Sequence, residues 1–138
     1  MNTTKITISA WVNANKQKVW DYYTQPEHIT QWNFALDTWH CPYASNDLRV
    51  GGRYVARMEA KDGSFGFDFE GTYNEVVSGE KLVFTMPDQR VVQVNFKELN
   101  NKTQVTVTFD AENQNPVEMQ QQGWQAILDN FKKYTEIN

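Results

Sequence analysis

Four charged residues are the first candidates for acid–base chemistry: Arg57, Glu59, Asp68 and Glu70. General acid–base catalysis needs polar groups that converge on one point inside an otherwise apolar site. The two stretches that carry these residues alternate as β-strands do, so the charged side chains lie on the face opposite the aromatic ones. The pattern favours a solvated outer face with cross-strand ion pairs. We therefore assign no catalytic residue.

A second candidate is the adjacent pair His40 and Cys41, which could form a metal site or a nucleophile with its base. Neighbouring residues on a strand point to opposite faces, so these two side chains cannot converge on one atom. The other histidine, His28, lies in a polar helical stretch far away in the sequence. No C-x-x-C or H-x-x-x-H spacing occurs, so the sequence predicts no metal site and no metal cofactor.

Aromatic residues are the more informative group, with five Trp, six Tyr and eight Phe in 138 residues. The stretch FGFDFEGTYNEV places Phe65, Phe67, Phe69 and Tyr73 on one face of a strand. Such rings either fill a thick core or line a cavity. We favour a cavity, because a long sheet curled around one helix encloses more space than that helix fills.

The elements that position these side chains follow from periodicity and turn chemistry. Residues 4 to 12 alternate as a strand, and Val19, Trp20 and Tyr23 have helical spacing. A second short helix is predicted from Pro26 to about residue 32, with Thr24 and Glu27 as its capping box. From residue 36 to 110 the chain predicts about six antiparallel strands separated by turns. The fold class is α+β, in a single domain spanning residues 1 to 138.

The last element is a long helix, for which Asn115 is the predicted cap and Pro116 the first residue. Its apolar stripe runs through Trp124, Ile127, Leu128, Phe131 and Tyr134. Glycine inside a helix costs about 1 kcal/mol relative to alanine, so Gly123 needs a reason. Either Gly123 opens a second face over a cavity, together with Met119, Ala126 and Asn130, or it allows the helix to pack closely on a strand.

Composition excludes several classes of function. The formal net charge is −4 and no cluster of Lys or Arg occurs, which argues against nucleic acid as a partner. No apolar run reaches the roughly 20 residues of a membrane span. A single cysteine and the absence of a secretory signal pattern lead us to expect a cytoplasmic protein.

Six segments in order give the chain a family resemblance. It resembles the bacterial proteins related to the activator of the heat-shock-protein-90 ATPase, in the START and birch-pollen-allergen-like superfamily. The segments are VWDYYTQPEHITQW (19–32), RVGGRY (49–54), FDFEGTYNEV (67–76), EKLVFTM (80–86), TQVTVTF (103–109) and GWQAILDNF (123–131). The resemblance implies a helix-grip fold, in which six or seven antiparallel strands curve around the C-terminal helix and enclose an apolar cavity. Members often carry Pro where this chain has Asn15, a difference that concerns the first helix cap.

These features together predict a protein that binds a small hydrophobic ligand, such as a lipid or a polycyclic aromatic molecule, without catalysing a reaction or using a cofactor. Two alternatives stay open: a cyclase- or dehydratase-like enzyme on the same cavity, and a co-chaperone that stimulates an ATPase and so has a chaperone as partner. The chain is expected to be a monomer or a homodimer. The predicted cavity lining is Trp32, Phe34, Trp39, Tyr54, Met58, Phe67, Phe69, Tyr73, Phe84, Met86, Met119, Gly123 and Ile127.

Overall fold

The computed structural model describes residues 4–138 and has seven strands and three helices in that range. In chain order the elements are β1 (Lys5–Val12), α1 (Lys16–Thr24), α2 (Pro26–Trp32), β2 (Trp39–Asn46), β3 (Arg53–Ala60), β4 (Gly66–Val77), β5 (Lys81–Thr85), β6 (Val91–Leu99), β7 (Lys102–Asp110) and α3 (Val117–Ile137). The predicted α+β class, the two short helices after the first strand and the long last helix are confirmed.

All seven strands form one antiparallel sheet in the order β1-β7-β6-β5-β4-β3-β2. From β2 to β7 each strand pairs with its neighbour along the chain, because short turns connect them. Each of these turns carries a residue in the left-handed region, at Gly51, Gly63, Gly79, Gln89 and the Asn100-Asn101 pair. Only β1 pairs across a long stretch of sequence, with Ile8 opposite Val107 on β7.

The sheet curls around α3, whose apolar stripe faces the concave side. Trp124 stacks on Phe109 of β7, with ring centroids 3.8 Å apart and planes within 10°. Further along the helix, Phe131 is fully buried and meets the ring of Trp32 edge to face at 4.9 Å. The helix is thus held by β1 and β7 of the sheet, and its second half also packs against α2.

Two predicted helix caps are wrong, while a third residue does cap. The Thr24 hydroxyl donates to the carbonyl of Trp20 inside α1. Helix α2 begins after Gln25 and has no side-chain cap, so Thr24 does not cap it. Helix α3 begins at Val117, and Asn115 does not cap it. Asn15, by contrast, accepts a hydrogen bond from the Lys18 amide at 2.9 Å and caps α1.

The start of α3 is organised by a different pair of residues. The carboxylate of Glu112 accepts hydrogen bonds from the amides of Gln114 and Asn115. The buried side chain of Gln120 accepts from the Glu112 amide and donates to the carbonyls of Glu112 and Asn115. These bonds close a compact loop before the helix, and the Asn115 side chain donates to Glu112 within that loop.

Candidate functional site

A pocket of about 440 Å³ lies between the concave face of the sheet and the helices. Its size falls in the range of known small-molecule sites. Most of its lining is aromatic or aliphatic, and its members come from α1, α2, the central strands and α3. The lining residues are Ile8, Tyr23, Trp32, Asn33, Tyr54, Met58, Phe67, Asp68, Phe69, Tyr73, Leu82, Phe84, Met86, Pro87, Asp88, Arg90, Val92, Val107, Trp124, Ile127 and Leu128.

Most of the residues predicted for a cavity lie together around this pocket. Strand alternation places Tyr54 and Met58 of β3 on the same buried face, and the paired strands β4 and β5 contribute the rings beside them. The predicted residues that line the pocket are Trp32, Tyr54, Met58, Phe67, Phe69, Tyr73, Phe84, Met86 and Ile127.

Four predicted residues lie outside the pocket lining. Phe34 follows α2, where its carbonyl accepts a hydrogen bond from Asn130. Trp39 lies at the start of β2 against Phe65 and Phe67, with ring centroids about 6 Å apart. Met119 is 57% exposed on the first turn of α3. Gly123, the fourth, needs a separate account.

The face of α3 that meets the pocket is the main stripe, through Trp124, Ile127 and Leu128. A Cβ atom added at Gly123 would meet no heavy atom of residues 4–138 within 4 Å beyond its neighbours in the helix, so close packing on a strand does not require this glycine. Gly123 also lies outside the pocket lining, so neither sequence-based interpretation fits. A glycine that does serve close packing beside the pocket is Gly71 on β4, where an added Cβ would collide with the ring of Phe84.

One end of the pocket is polar. The side-chain nitrogen of Asn33 donates to the Tyr54 hydroxyl at 3.1 Å, and both residues are buried. The Tyr73 hydroxyl donates to Asn46 Oδ1 at 2.8 Å, and Asn46 in turn donates to the Thr24 carbonyl. Tyr23 completes this group and makes no side-chain hydrogen bond within the described part of the chain.

The tyrosines at this end stay protonated. Burial raises the pKa of Tyr23, Tyr54 and Tyr73 well above the ordinary value near 10. A negative charge on Tyr23 or Tyr73 would raise the pKa of Tyr54 further. Their hydroxyls are therefore neutral hydrogen-bonding groups at physiological pH.

Tyr23 and Asn33 are functional candidates that sequence reasoning missed. Tyr23 has the helical spacing of a core residue, and its ring is indeed packed against Trp32, Phe96 and Phe131. Asn33 directly follows α2 and has no periodic pattern of its own. A polar residue directly after a helix, next to an apolar interior, is the one signal that could have indicated it.

The other end of the pocket is the mouth. Here the lining includes Phe67, which is 41% exposed, and the exposed residues Pro87 and Asp88 of the β5–β6 turn. Asp88 pairs with Arg90 at 2.7 Å. The register of β3 with β4 sets Met58 opposite Phe67 and Tyr54 opposite Gly71, so the mouth and the tyrosine end lie at opposite ends of these strands.

The acid–base candidates form the expected ion pairs on the outer face. Arg57 contacts Glu59 at 2.8 Å and Asp68 at 3.3 Å, and Arg53 contacts Glu70 at 2.6 Å. Asp68 is half-exposed and reaches the edge of the pocket mouth. These side chains do not converge in the apolar interior.

The two histidines lie apart from each other and from Cys41. His28 stacks on Tyr22 and shares a 2.8 Å hydrogen bond with the Tyr134 hydroxyl. His40 lies 3.7 Å from Glu59 on the outer face, whereas Cys41 is buried and burial raises the pKa of its thiol to about 11. Across residues 4–138, no three His, Cys, Asp or Glu side chains are grouped as a metal site requires.

Comparison with models of known protein families shows which family this chain belongs to. The family model described as "Activator of Hsp90 ATPase homolog 1-like protein" matches residues 13–136 of this chain. The chain belongs to this family. The resemblance carried by the six sequence segments is therefore confirmed, as is the helix-grip architecture that it implies.

Two solved structures are similar to this member of the Activator of Hsp90 ATPase homolog 1-like family in sequence as well as fold. One is the solution NMR structure of the AHSA1-like protein from Aeromonas hydrophila, with 45% identity over 97% of this chain and 93% of that chain, and a TM-score of 0.91. The other is Chr148 from Cytophaga hutchinsonii, with 46% identity over the same two shares and a TM-score of 0.84.

A third solved structure, CV1439 from Chromobacterium violaceum, has 21% identity over 96% of this chain and 98% of that chain, with a TM-score of 0.86. At that identity the likeness concerns the fold alone. No curated protein matches the chain. Among the described residues, no helix is both long and apolar enough to span a bilayer.

Proposed function

We propose that this protein binds a small hydrophobic molecule, a lipid or a polycyclic aromatic compound, in the pocket between the sheet and α3, and does so without catalysing a reaction. One observation carries the proposal: a pocket of about 440 Å³ whose walls are mainly aromatic and aliphatic side chains. Apolar walls around a pocket of this size, with a few polar groups at one end, are the usual composition of a ligand site.

The binding free energy would come chiefly from apolar surface removed from water, at roughly 25 cal/mol per Å². The lining residues Met58 and Met86 have flexible side chains that adapt to different ligand shapes. The rings of Tyr54, Phe69 and Phe84 pack against one another with centroids about 6 Å apart, so these aromatic residues of the pocket wall support each other. Such a site suits a rigid ring system or a short acyl chain.

The first test is to look for a ligand that copurifies. Native mass spectrometry of freshly purified protein is expected to show an added small mass that is lost after denaturation. The second is an NMR titration with the hydrocarbon 1,1-diphenylethylene, for which we expect saturable binding and shifts at Trp124 and Ile127. The proposal would be contradicted if no molecule copurified and the hydrocarbon showed no saturable binding.

A matched pair of variants on α3 locates the site. Ile127→Trp adds bulk where the helix lines the pocket, and Met119→Trp adds bulk on an exposed part of the same helix. We expect loss of binding in the first and unchanged binding in the second, with both folded by circular dichroism. Met58→Trp on β3 is a second blocking variant if Ile127→Trp does not fold. Full binding by a folded blocking variant would place the site elsewhere.

A second candidate function is an interaction with a chaperone. It is supported by the family description, which refers to activation of the Hsp90 ATPase. It is also supported by an aromatic cluster in which the exposed rings of Phe65 and Phe67 pack against the partly buried Trp39. Stimulation of a purified Hsp90 ATPase that is lost on Phe65→Ser would favour this function. The cyclase- or dehydratase-like alternative gains no support, since the charged pocket residues Asp68, Asp88 and Arg90 lie at the mouth.

A further inference from the structure

The three pocket tyrosines differ in how their hydroxyls are used. The Tyr73 hydroxyl donates its proton to Asn46 Oδ1 at 2.8 Å. The side-chain nitrogen of Asn46 donates to the Thr24 carbonyl at 2.7 Å, and the Thr24 hydroxyl donates to the Trp20 carbonyl. These hydrogen bonds join β4, β2 and α1, so the Tyr73 hydroxyl stabilises the fold.

The Tyr54 hydroxyl has a different partner. It accepts a hydrogen bond from the Asn33 side-chain nitrogen at 3.1 Å. A phenol that accepts in this way keeps its own O–H available as a donor. Within residues 4–138, no acceptor takes that proton. Because Tyr54 is only 9% exposed and lines the pocket, the remaining direction for its O–H is the pocket itself.

Tyr23 adds a second free hydroxyl at the same end. Its ring is fixed by contacts with Trp32, Phe96 and Phe131, all with centroids between 5.1 and 5.5 Å. Its hydroxyl makes no hydrogen bond with any residue that the structure describes, and the side chain lines the pocket. A rigid ring with a free O–H in an apolar site is a preorganised donor, since no side-chain freedom is lost when it binds.

Among the described residues that line the pocket, no unpaired cation accompanies these donors. The charged side chains of the pocket lining are Asp68, Asp88 and Arg90, and Arg90 already pairs with Asp88 at the mouth. A carboxylate at the tyrosine end would therefore be buried without a cation, which is unfavourable. A neutral oxygen with two lone pairs can accept from two phenols at once.

We propose that the ligand of this pocket carries a neutral acceptor oxygen, a carbonyl above all, that accepts hydrogen bonds from the Tyr23 and Tyr54 hydroxyls while its apolar body extends toward the mouth. This inference rests on the proposed function and narrows its ligand class. It assigns Tyr23 and Tyr54 to ligand specificity and Tyr73 to stabilising the fold, although all three phenols line one pocket.

The test compares two probes of nearly the same shape. Benzophenone has a carbonyl where 1,1-diphenylethylene has a methylene group, so their difference in affinity isolates the acceptor oxygen. For the wild-type protein we expect benzophenone to bind roughly two- to tenfold more tightly per hydrogen bond gained, by calorimetric or NMR titration. Tyr23→Phe and Tyr54→Phe should each reduce that preference and leave the affinity for the hydrocarbon nearly unchanged.

The control variant is Tyr73→Phe, which should lower the thermal midpoint and keep the carbonyl preference. Equal binding of both probes by the wild-type protein, or an undiminished preference in Tyr23→Phe and Tyr54→Phe, would overturn this inference while the proposed function stands. Binding of neither probe would instead count against the apolar pocket as a ligand site and against both proposals.

Discussion

Strands β3 and β4 present two faces that are held by different kinds of contact. On the inner face, Tyr54, Gly71 and Tyr73 pack against the Phe84 ring around the pocket. On the outer face, Arg57 connects Glu59 and Asp68 in exposed ion pairs. The inner contacts depend on shape, since each ring fills the space that its neighbours leave. The outer contacts depend on charge and are weakened by water and salt.

The largest expected effect is at Phe84, which is 6% exposed and touches three other inner-face rings. Phe84→Ala should lower the free energy of unfolding by about 3–5 kcal/mol, because truncation of a buried ring leaves a cavity. Chemical denaturation measures the change. The outward neighbour Val83 is the control, and Val83→Ala should cost much less. Similar costs for the two variants would contradict the distinction between the faces.

Gly71→Ala tests the same face without removing any atom. The added methyl group would collide with the Phe84 ring and lie 3.2 Å from the Thr85 carbonyl oxygen. Overpacking of this kind costs about 1–3 kcal/mol, and the ring can move only toward the pocket. Denaturation should show the loss of stability, and titration with 1,1-diphenylethylene should show weaker binding. A stable variant with normal binding would mean that Phe84 adapts freely.

Gly123→Ala has a smaller expected effect, of opposite sign. The site lies inside α3, and no heavy atom outside the local helix is within 4 Å of an added Cβ. Alanine should therefore stabilise the protein by about 0.5–1 kcal/mol through helix propensity alone. Gly123→Leu should also fold and bind the hydrocarbon probe normally. Destabilisation, or loss of binding, would show that this glycine faces the sheet or the ligand after all.

The smallest effect is expected on the outer face. Arg57→Gln removes both ion pairs of this guanidinium, whose side chain is 37% exposed. We expect a shift in the thermal midpoint smaller than that of Gly123→Ala, and one that fades at high salt because screening weakens exposed pairs. A large shift that persists in salt would mean that the guanidinium stem packs against the sheet and contributes through contact.

Much of the fold follows from the sequence because the signals are local. Asp62-Gly63 and Asn100-Asn101 fix two of the turns, and the alternation in β3 fixes which side chains face inward. The inner-face aromatics of the pocket follow from the same alternation. A strand has only two faces, so a correct strand assignment gives the correct face for each side chain.

The helix and the loops were harder for a physical reason. An apolar stripe on α3 is about 100° wide, and periodicity does not tell which part of it covers a cavity. The sequence therefore predicts Met119 and Gly123 over the cavity, whereas in the structure Trp124 and Leu128 lie there. The loop before α3 depends on Gln120 reaching back to Glu112, a contact between residues eight positions apart that no capping pattern includes.

The pairing of β1 with β7 has a consequence for how the chain folds. Lys5 lies opposite Asp110 and Val12 opposite Thr103, so the first strand of the chain pairs with the last strand of the sheet. Bringing together the ends of the long segment between β1 and β7 costs conformational entropy before any contact between the two strands forms, and this slows folding. During synthesis, β1 has no partner strand until β7 has left the ribosome. The β2–β7 meander, in which each strand follows its partner, is the part that can assemble first.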